Sequence, residues 1–265
     1  KEITDEAKQL VNNGAKEITL LGQNVNAYNS EGKRLADLIS EISKINDLKR
    51  IRYTTSHPKD FTQDLIDAHK DCEKLMPLIH LPIQSGSNKI LKAMNRKHTI
   101  EEYQKIIEKL IKVDSRIKFS SDFIIGYPGE NLEDFKQTEK LAKQIKYINS
   151  YSFIFSARPG TPAFNLKKIN QTEAKKRLIS FQSIAEEIKT KYRETLIGKI
   201  SNVLFENKTK EGNKYFGRDE YLNSVIVKSN ESLVGKIKKV KIASGNHNTL
   251  YGEIFSELNQ NNYAA

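Results

Sequence analysis

Lys118-Phe119-Ser120-Ser121-Asp122-Phe123-Ile124-Ile125-Gly126-Tyr127-Pro128-Gly129 is the stretch on which the fold turns. Its apolar density reads as a strand from Lys118 to Gly126. Gly126 and Pro128-Gly129 then end that strand in a tight turn, because Gly permits positive φ and Pro removes a backbone donor. Apolar residues spaced three and four apart before it, Thr99 to Val113, and after it, Leu132 to Ile145, read as helices. Thr99 and Glu102 have the spacing of a capping box, which marks where the first of those helices starts. A strand between two helices is a βα unit, and turns at the carboxyl ends of such strands are where parallel α/β folds place their ligands.

The unit repeats on both sides. Strands are expected at Glu17 to Val25, Arg50 to His57, Met76 to Gln84 and Ser150 to Ser156, with helices Leu35 to Asn46, Phe61 to Lys70 and Asn88 to Asn95 between them. Arg158-Pro159-Gly160-Thr161-Pro162 closes the last strand in a second tight turn. The chain opens on a helix, Ile3 to Asn12, where a βαβ series calls for a strand, and its first residue is Lys; both suggest that a further strand, and more, lies upstream. Glu173 to Tyr192 reads as a long basic amphipathic connecting helix. Beyond Gly198 the pattern changes to short strands broken by Gly and Asn: Ile200 to Glu206, Lys214 to Gly217, Ser224 to Val227, Lys236 to Ile242 and Leu250 to Phe255. That spacing predicts a small antiparallel β-barrel. The expected organisation is an α/β domain over 1–165, a connecting helix over 166–194 and the small barrel over 195–265.

Composition limits the function. The 265 residues carry 37% hydrophobic and 29% charged side chains, and no apolar run approaches the roughly 18 residues that cross a bilayer, so no membrane partner is expected. One cysteine, Cys72, excludes an internal disulfide framework and any metal or cluster site built only from this chain's thiolates. The net charge is +11, of which residues 1–165 contribute 26 basic minus 22 acidic, +4, and residues 166–265 contribute 18 minus 11, +7. A basic final third suits a polyanion such as nucleic acid.

Five motifs occur in order: LGQNVNAY (21–28), TTSHP (54–58), HLPIQSGS (80–87), SSDFIIGYPGE (120–130) and YSFIFSARPGTP (151–162). Together they closely resemble MiaB-type tRNA methylthiotransferases of the radical S-adenosylmethionine class, from about residue 2 to residue 258. The resemblance implies a partial (βα)6 radical-SAM barrel lacking its first strand, followed by a TRAM-like RNA-binding β-barrel. It also implies a cytoplasmic enzyme, monomeric when intact, that acts on the anticodon stem-loop of tRNA and adds a methylthio group to an isopentenylated adenosine. Its cofactors are S-adenosylmethionine and 4Fe-4S clusters, one held by a CxxxCxxC loop that this sequence lacks. A lone Cys72 cannot replace three thiolates. The chain by itself is therefore expected to bind no metal cluster and to be inactive, a portion of the enzyme. The alternative is a tRNA-binding module without turnover.

The resemblance also points to site residues. Gln23 and Asn24 follow the first strand, where their amides can meet a polar ligand; in the family this stretch lies by the amino group of S-adenosylmethionine. Ser56, Gln84 and Ser85 end the next strands, and Ser121 and Asp122, polar within an apolar strand, are both expected to face the ligand. Arg158, in its rigid turn, is the leading partner for the methionine carboxylate, because guanidinium matches carboxylate in bidentate geometry; Arg96 is a second candidate. His57 and His80 are read as hydrogen-bonded structural histidines. In the final barrel, Lys208, Lys210, Lys214, Arg218, Lys236, Lys238, Lys239 and Lys241, interleaved with Tyr215, Phe216 and Tyr221, form the expected RNA face, with Phe205 and Phe255 in the core.

Overall fold

The computed structural model describes residues 1–54 and 56–256; Thr55 of the TTSHP motif, and 257–265 of the expected small-barrel span, lie outside the described residues. The elements run α1 (Glu2–Asn12), β1 (Glu17–Leu20), a short hairpin β2 (Asn29–Ser30) and β3 (Lys33–Arg34), α2 (Leu35–Ser43), β4 (Arg50–Tyr53), α3 (Gln63–Asp71), β5 (Leu78–His80), α4 (Asn88–Ala93), α5 (Ile100–Val113), β6 (Lys118–Ile125), α6 (Leu132–Ile145), β7 (Asn149–Ile154) and α7 (Gln171–Glu194). Strands β8 (Ile200–Lys208), β9 (Lys214–Arg218), β10 (Ser224–Lys228), β11 (Ile237–Gly245) and β12 (Thr249–Ile254) follow. By spatial contact the chain forms two compact units, one over Glu17–Lys189, the other joining Lys1–Lys16 to residues from Thr190 onward.

In the larger unit every neighbouring pair of long strands is parallel: β1 with β4, β5 with β6 and β6 with β7. Backbone bonds from Ile51 N to Lys74 O (2.7 Å) and from Met76 N to Ile51 O (2.9 Å) carry the series from β4 toward the segment entering β5. The order is therefore sequential, each strand returning through a helix, as in an α/β barrel. The core between strands and helices holds Ile39, Ile42, Ile51, Ile79, Tyr103, Leu110, Phe123 and Phe181, all 1% exposed or less.

Several strands are shorter than the sequence suggests. The expected Met76 to Gln84 shrinks to Leu78–His80, because Pro77 and Pro82 cannot donate to a ladder on either side. After β1 the chain turns at Gly22 into a 3-10 turn, Val25–Ala27, instead of continuing as strand. Each expected helix is met with its ends within three residues of the expected ones. The Thr99–Glu102 capping box closes with bonds of 3.2 and 2.8 Å, and Asn131 and Asp134 form a second box at the start of α6. Asp134 also accepts the Ser87 hydroxyl (2.8 Å), tying the start of α4 to the start of α6. α7 is more than a connector: the Phe181 ring packs at a tilt against Phe123 of β6, 4.5 Å between ring centres, and Arg177 pairs with buried Glu130 at 2.9 Å.

The smaller unit contains a closed five-stranded barrel ordered β10-β12-β11-β8-β9. It is not purely antiparallel: β10 and β12 pair in parallel, and this contact closes the ring. Its core gathers Val203, Phe205, Tyr215, Val225, Val227, Val240, Ile242 and Leu250. Two expectations exchange places here. Tyr215, placed on the RNA face by the sequence, is buried in the core, whereas Phe255 stays half-buried beyond the last strand.

Candidate ligand cleft and nucleic-acid face

A cleft of about 710 Å³ opens at the carboxyl ends of β5, β6 and β7. Gln84, Arg96, Asp122, Arg158 and His57 line it, together with Tyr127, Phe153 and Phe155. Its size and mixed polar and aromatic wall are those of a small-molecule site.

Gln84 carries the clearest structural signal. It takes φ 74°, a region that non-glycine residues rarely occupy, and is held there by backbone bonds of Gln84 N to Asp122 O and Ile124 N to Gln84 O, each 2.9 Å. Two flanking bonds to one strand over-determine the conformation and set its position against β6. On β6, side chains alternate, so Ser121 and Asp122 face opposite ways and do not both meet a ligand. Ser121 is fully buried on the helix side, its hydroxyl donating to Leu81 O (3.0 Å) and accepting from Ile83 N (3.0 Å). Asp122 lines the cleft, with His80 Nε2 3.5 Å from its carboxylate.

Arg96 and Arg158 reach the cleft from the end of α4 and from the turn after β7, and neither side chain forms an ion pair among the described residues. Burial lowers the pKa of Arg96, with Asp122 opposing. His57 accepts from Lys59 N at Nδ1 (3.2 Å), which leaves Nε2 to carry the proton of the neutral ring; burial first, then Arg96, lowers its pKa.

The remaining expected residues are placed elsewhere. Gln23 is exposed and Asn24 donates to Asp60 (2.6 Å); neither lines the cleft. Asn26 does the structural work in that motif, its amide donating to His57 O (2.9 Å) and accepting from His57 N (2.8 Å), so the loops after β1 and β4 are locked together. Ser85 is buried, with its hydroxyl accepting from Ser87 N (3.2 Å). Beside it, Gly86 allows a close approach, since a Cβ there would stand 2.5 Å from the Thr138 Cα. Ser56 is buried and its hydroxyl has no partner among the described residues. Phe153, Phe155 and Asn95 line the cleft without having been singled out. Alternation along β7 could have found the two Phe residues, and an Asn just past a helix end, here at φ 58°, could have found Asn95.

On the small barrel, Lys208, Lys210, Lys236, Lys239 and Lys241 are exposed, and Lys238 is half-buried on the inward parity of β11. Arg218 is occupied: Glu206 accepts two bonds of 2.8 Å from it, and its guanidinium lies 5.2 Å from the Phe216 ring centre. Lys214 pairs with Glu211. Among the described residues no group of three His, Cys, Asp or Glu side chains could hold a metal ion, and no helix is long and apolar enough to cross a membrane.

Residues 1–142 match the pattern of the Radical SAM superfamily and residues 194–255 that of the TRAM domain. Solved structures with a similar fold include coproporphyrinogen III oxidase (HemN) from Escherichia coli, a radical SAM enzyme (TM-score 0.52, 11% identity, 96% of this chain and 65% of that one). Methylornithine synthase (PylB) is another (TM-score 0.50, 12% identity, 71% and 53%). The chain belongs to the Radical SAM superfamily. Within it, the MiaB resemblance is upheld by relatives named tRNA-2-methylthio-N(6)-dimethylallyladenosine synthase. The one from Pelagibacter ubique is 56% identical over 257 residues, covering 96% of this chain and 58% of the relative. The one from Wolbachia pipientis of Culex pipiens is 49% identical, covering 95% and 59%. The chain thus spans somewhat under 60% of these relatives' length.

Proposed function

We propose that this chain is the S-adenosylmethionine-binding and RNA-binding portion of an enzyme that adds a methylthio group to isopentenyl-adenosine next to the tRNA anticodon. The observation that carries it is the convergence of Arg96, Arg158, Asp122 and strained Gln84 in one cleft. A ligand with a carboxylate, a cationic centre and a purine ring finds a match for each: guanidinium for the carboxylate, Asp122 for the cation, and Phe153, Phe155 and Tyr127 for the ring. S-adenosylmethionine has those groups. The residues present do not fit a 4Fe-4S cluster, since the sequence has one thiol, Cys72, and no step is assigned to a cluster on this chain. That same lone thiol favours the second reading, a tRNA-binding module without turnover. The functional division is taken as 1–165, 166–194 and 195–265, with Lys208, Lys210, Lys236, Lys238, Lys239 and Lys241 contacting the anticodon stem-loop; the intact enzyme is taken as cytoplasmic and monomeric.

Calorimetric titration with S-adenosylmethionine tests the cleft. Arg158→Ala and Arg96→Ala are each expected to weaken binding about 10-fold or more, the loss of a charge-assisted hydrogen bond worth about 1.5–3 kcal/mol. Equal affinity in both variants and the parent would remove the carboxylate assignment.

A further inference from the structure

A second concave site, about 320 Å³, lies on the larger unit where the Pro58–Asp60 turn, the start of α3 and the first half of α5 meet. Its floor is apolar, with Phe61, Ile66 and Ile106. Its rim carries four amines, Lys59, Lys97, Lys105 and Lys109, against one carboxylate, Glu102, which is already bonded to Thr99 N (2.8 Å) in the α5 capping box. The rim lysines form no ion pair among the described residues; Lys109 donates to the Gln63 amide (3.3 Å) and Lys97 to Asn95 (2.7 Å), both neutral. Four amines facing one hollow against a single rim carboxylate leave it with an excess of positive charge.

His98 supplies an independent observation. It lines this pocket at 7% exposure, and both of its ring nitrogens are buried without a hydrogen-bond partner. Each unpartnered ring nitrogen costs free energy, and a bound acceptor would recover the share of the one that carries the N–H. The pocket also adjoins the ligand cleft: Arg96 lines the one and the next two residues line the other, with the His57 and His98 rings 5.4 Å apart.

We propose that this lysine-rimmed pocket binds a phosphate group of a nucleotide, the apolar floor receiving the attached nucleoside. Resting on the reading of tRNA as substrate, the phosphate belongs to the RNA strand whose target base enters the neighbouring cleft. This contact lies on the larger unit and uses none of the lysines of the small barrel.

The test compares the chain with the Lys105→Ala/Lys109→Ala variant, both changes being at exposed helix positions. A fluorescein-labelled RNA hairpin is titrated by anisotropy across about 50–200 mM KCl, and AMP is titrated by calorimetry. The expected result is several-fold weaker hairpin binding and a slope of log Kd against log[KCl] lower by about 0.7, the value for one lost single-strand phosphate contact. AMP binding that the variant loses while hairpin binding stays unchanged would keep the phosphate chemistry and name a free nucleotide as its source. Hairpin and AMP affinities unchanged by the variant, or neither ligand bound by the parent, would overturn the proposal. A Lys236→Ala/Lys239→Ala variant run alongside reports on the small-barrel face alone, so the failure of either surface is seen separately from the other.

Discussion

His69 shows what one side chain contributes once it is enclosed. It is buried in α3 with its Nε2 2.6 Å from the Tyr53 hydroxyl, and burial pushes its pKa down from 6.5 to about 4. The folded state therefore resists protonation that the unfolded state accepts. Stability is fully present above pH 6.5 and is lost as the pH falls toward 4, by up to about 3 kcal/mol. The thermal midpoint is expected to fall over that window, and His69→Gln, which keeps an acceptor for Tyr53, is expected to flatten the fall; equal acid limbs in both proteins would refute the assignment. The same scale shows how far residue types were legible. Gln84 and Arg158 stand out by their positions at strand ends and Asp122 as a carboxylate within an apolar strand, and all three line the cleft. Ser121 and Ser85 sit in the same motifs, but their hydroxyls serve backbone groups, because which way a strand residue points depends on a register that no short motif contains.

Among the elements, α7 and the turn after β6 depend on each other. Arg177 donates to the Glu130 carboxylate (2.9 Å) and to Glu130 O (3.1 Å), and Glu130 accepts from Gly126 N (3.1 Å). Gly126 itself needs its φ of 75° and its missing Cβ, which would stand 2.9 Å from the Ala174 Cβ. Burial raises the Glu130 carboxyl pKa, with Arg177 opposing. Arg177→Ala strands that carboxylate and is expected to cost about 3–5 kcal/mol in urea unfolding, whereas Arg177→Met with Glu130→Gln is expected to recover most of it. Equal losses in the two variants would mean that packing and not charge dominates. The helices were legible because a 3.6-residue stripe and a capping box are local signals, and α5 and α6 begin and end where these place them. Strand lengths were not, since prolines and ladder partners set them.

At the scale of the whole molecule, the sequence contains one thiol, so cluster chemistry is not carried by its own side chains. Anaerobic reconstitution with iron and sulfide is expected to leave this chain without stoichiometric cluster absorbance, while the Pelagibacter ubique relative prepared in parallel takes it up; a stoichiometric cluster on this chain would overturn that. The sequence by itself determined the alternating α/β unit, the five-stranded final barrel, the family and the absence of a thiolate set, because each is written in composition, periodicity or motif order along the chain. Only the tertiary structure decided that Arg96 joins Arg158 and Asp122, that Tyr215 is core, that β10 closes the small barrel in parallel, and that Lys59 and Lys97 meet two lysines of α5 around one hollow. Those facts depend on register and on contacts between residues distant in sequence, which the packing of the chain sets and local pattern does not.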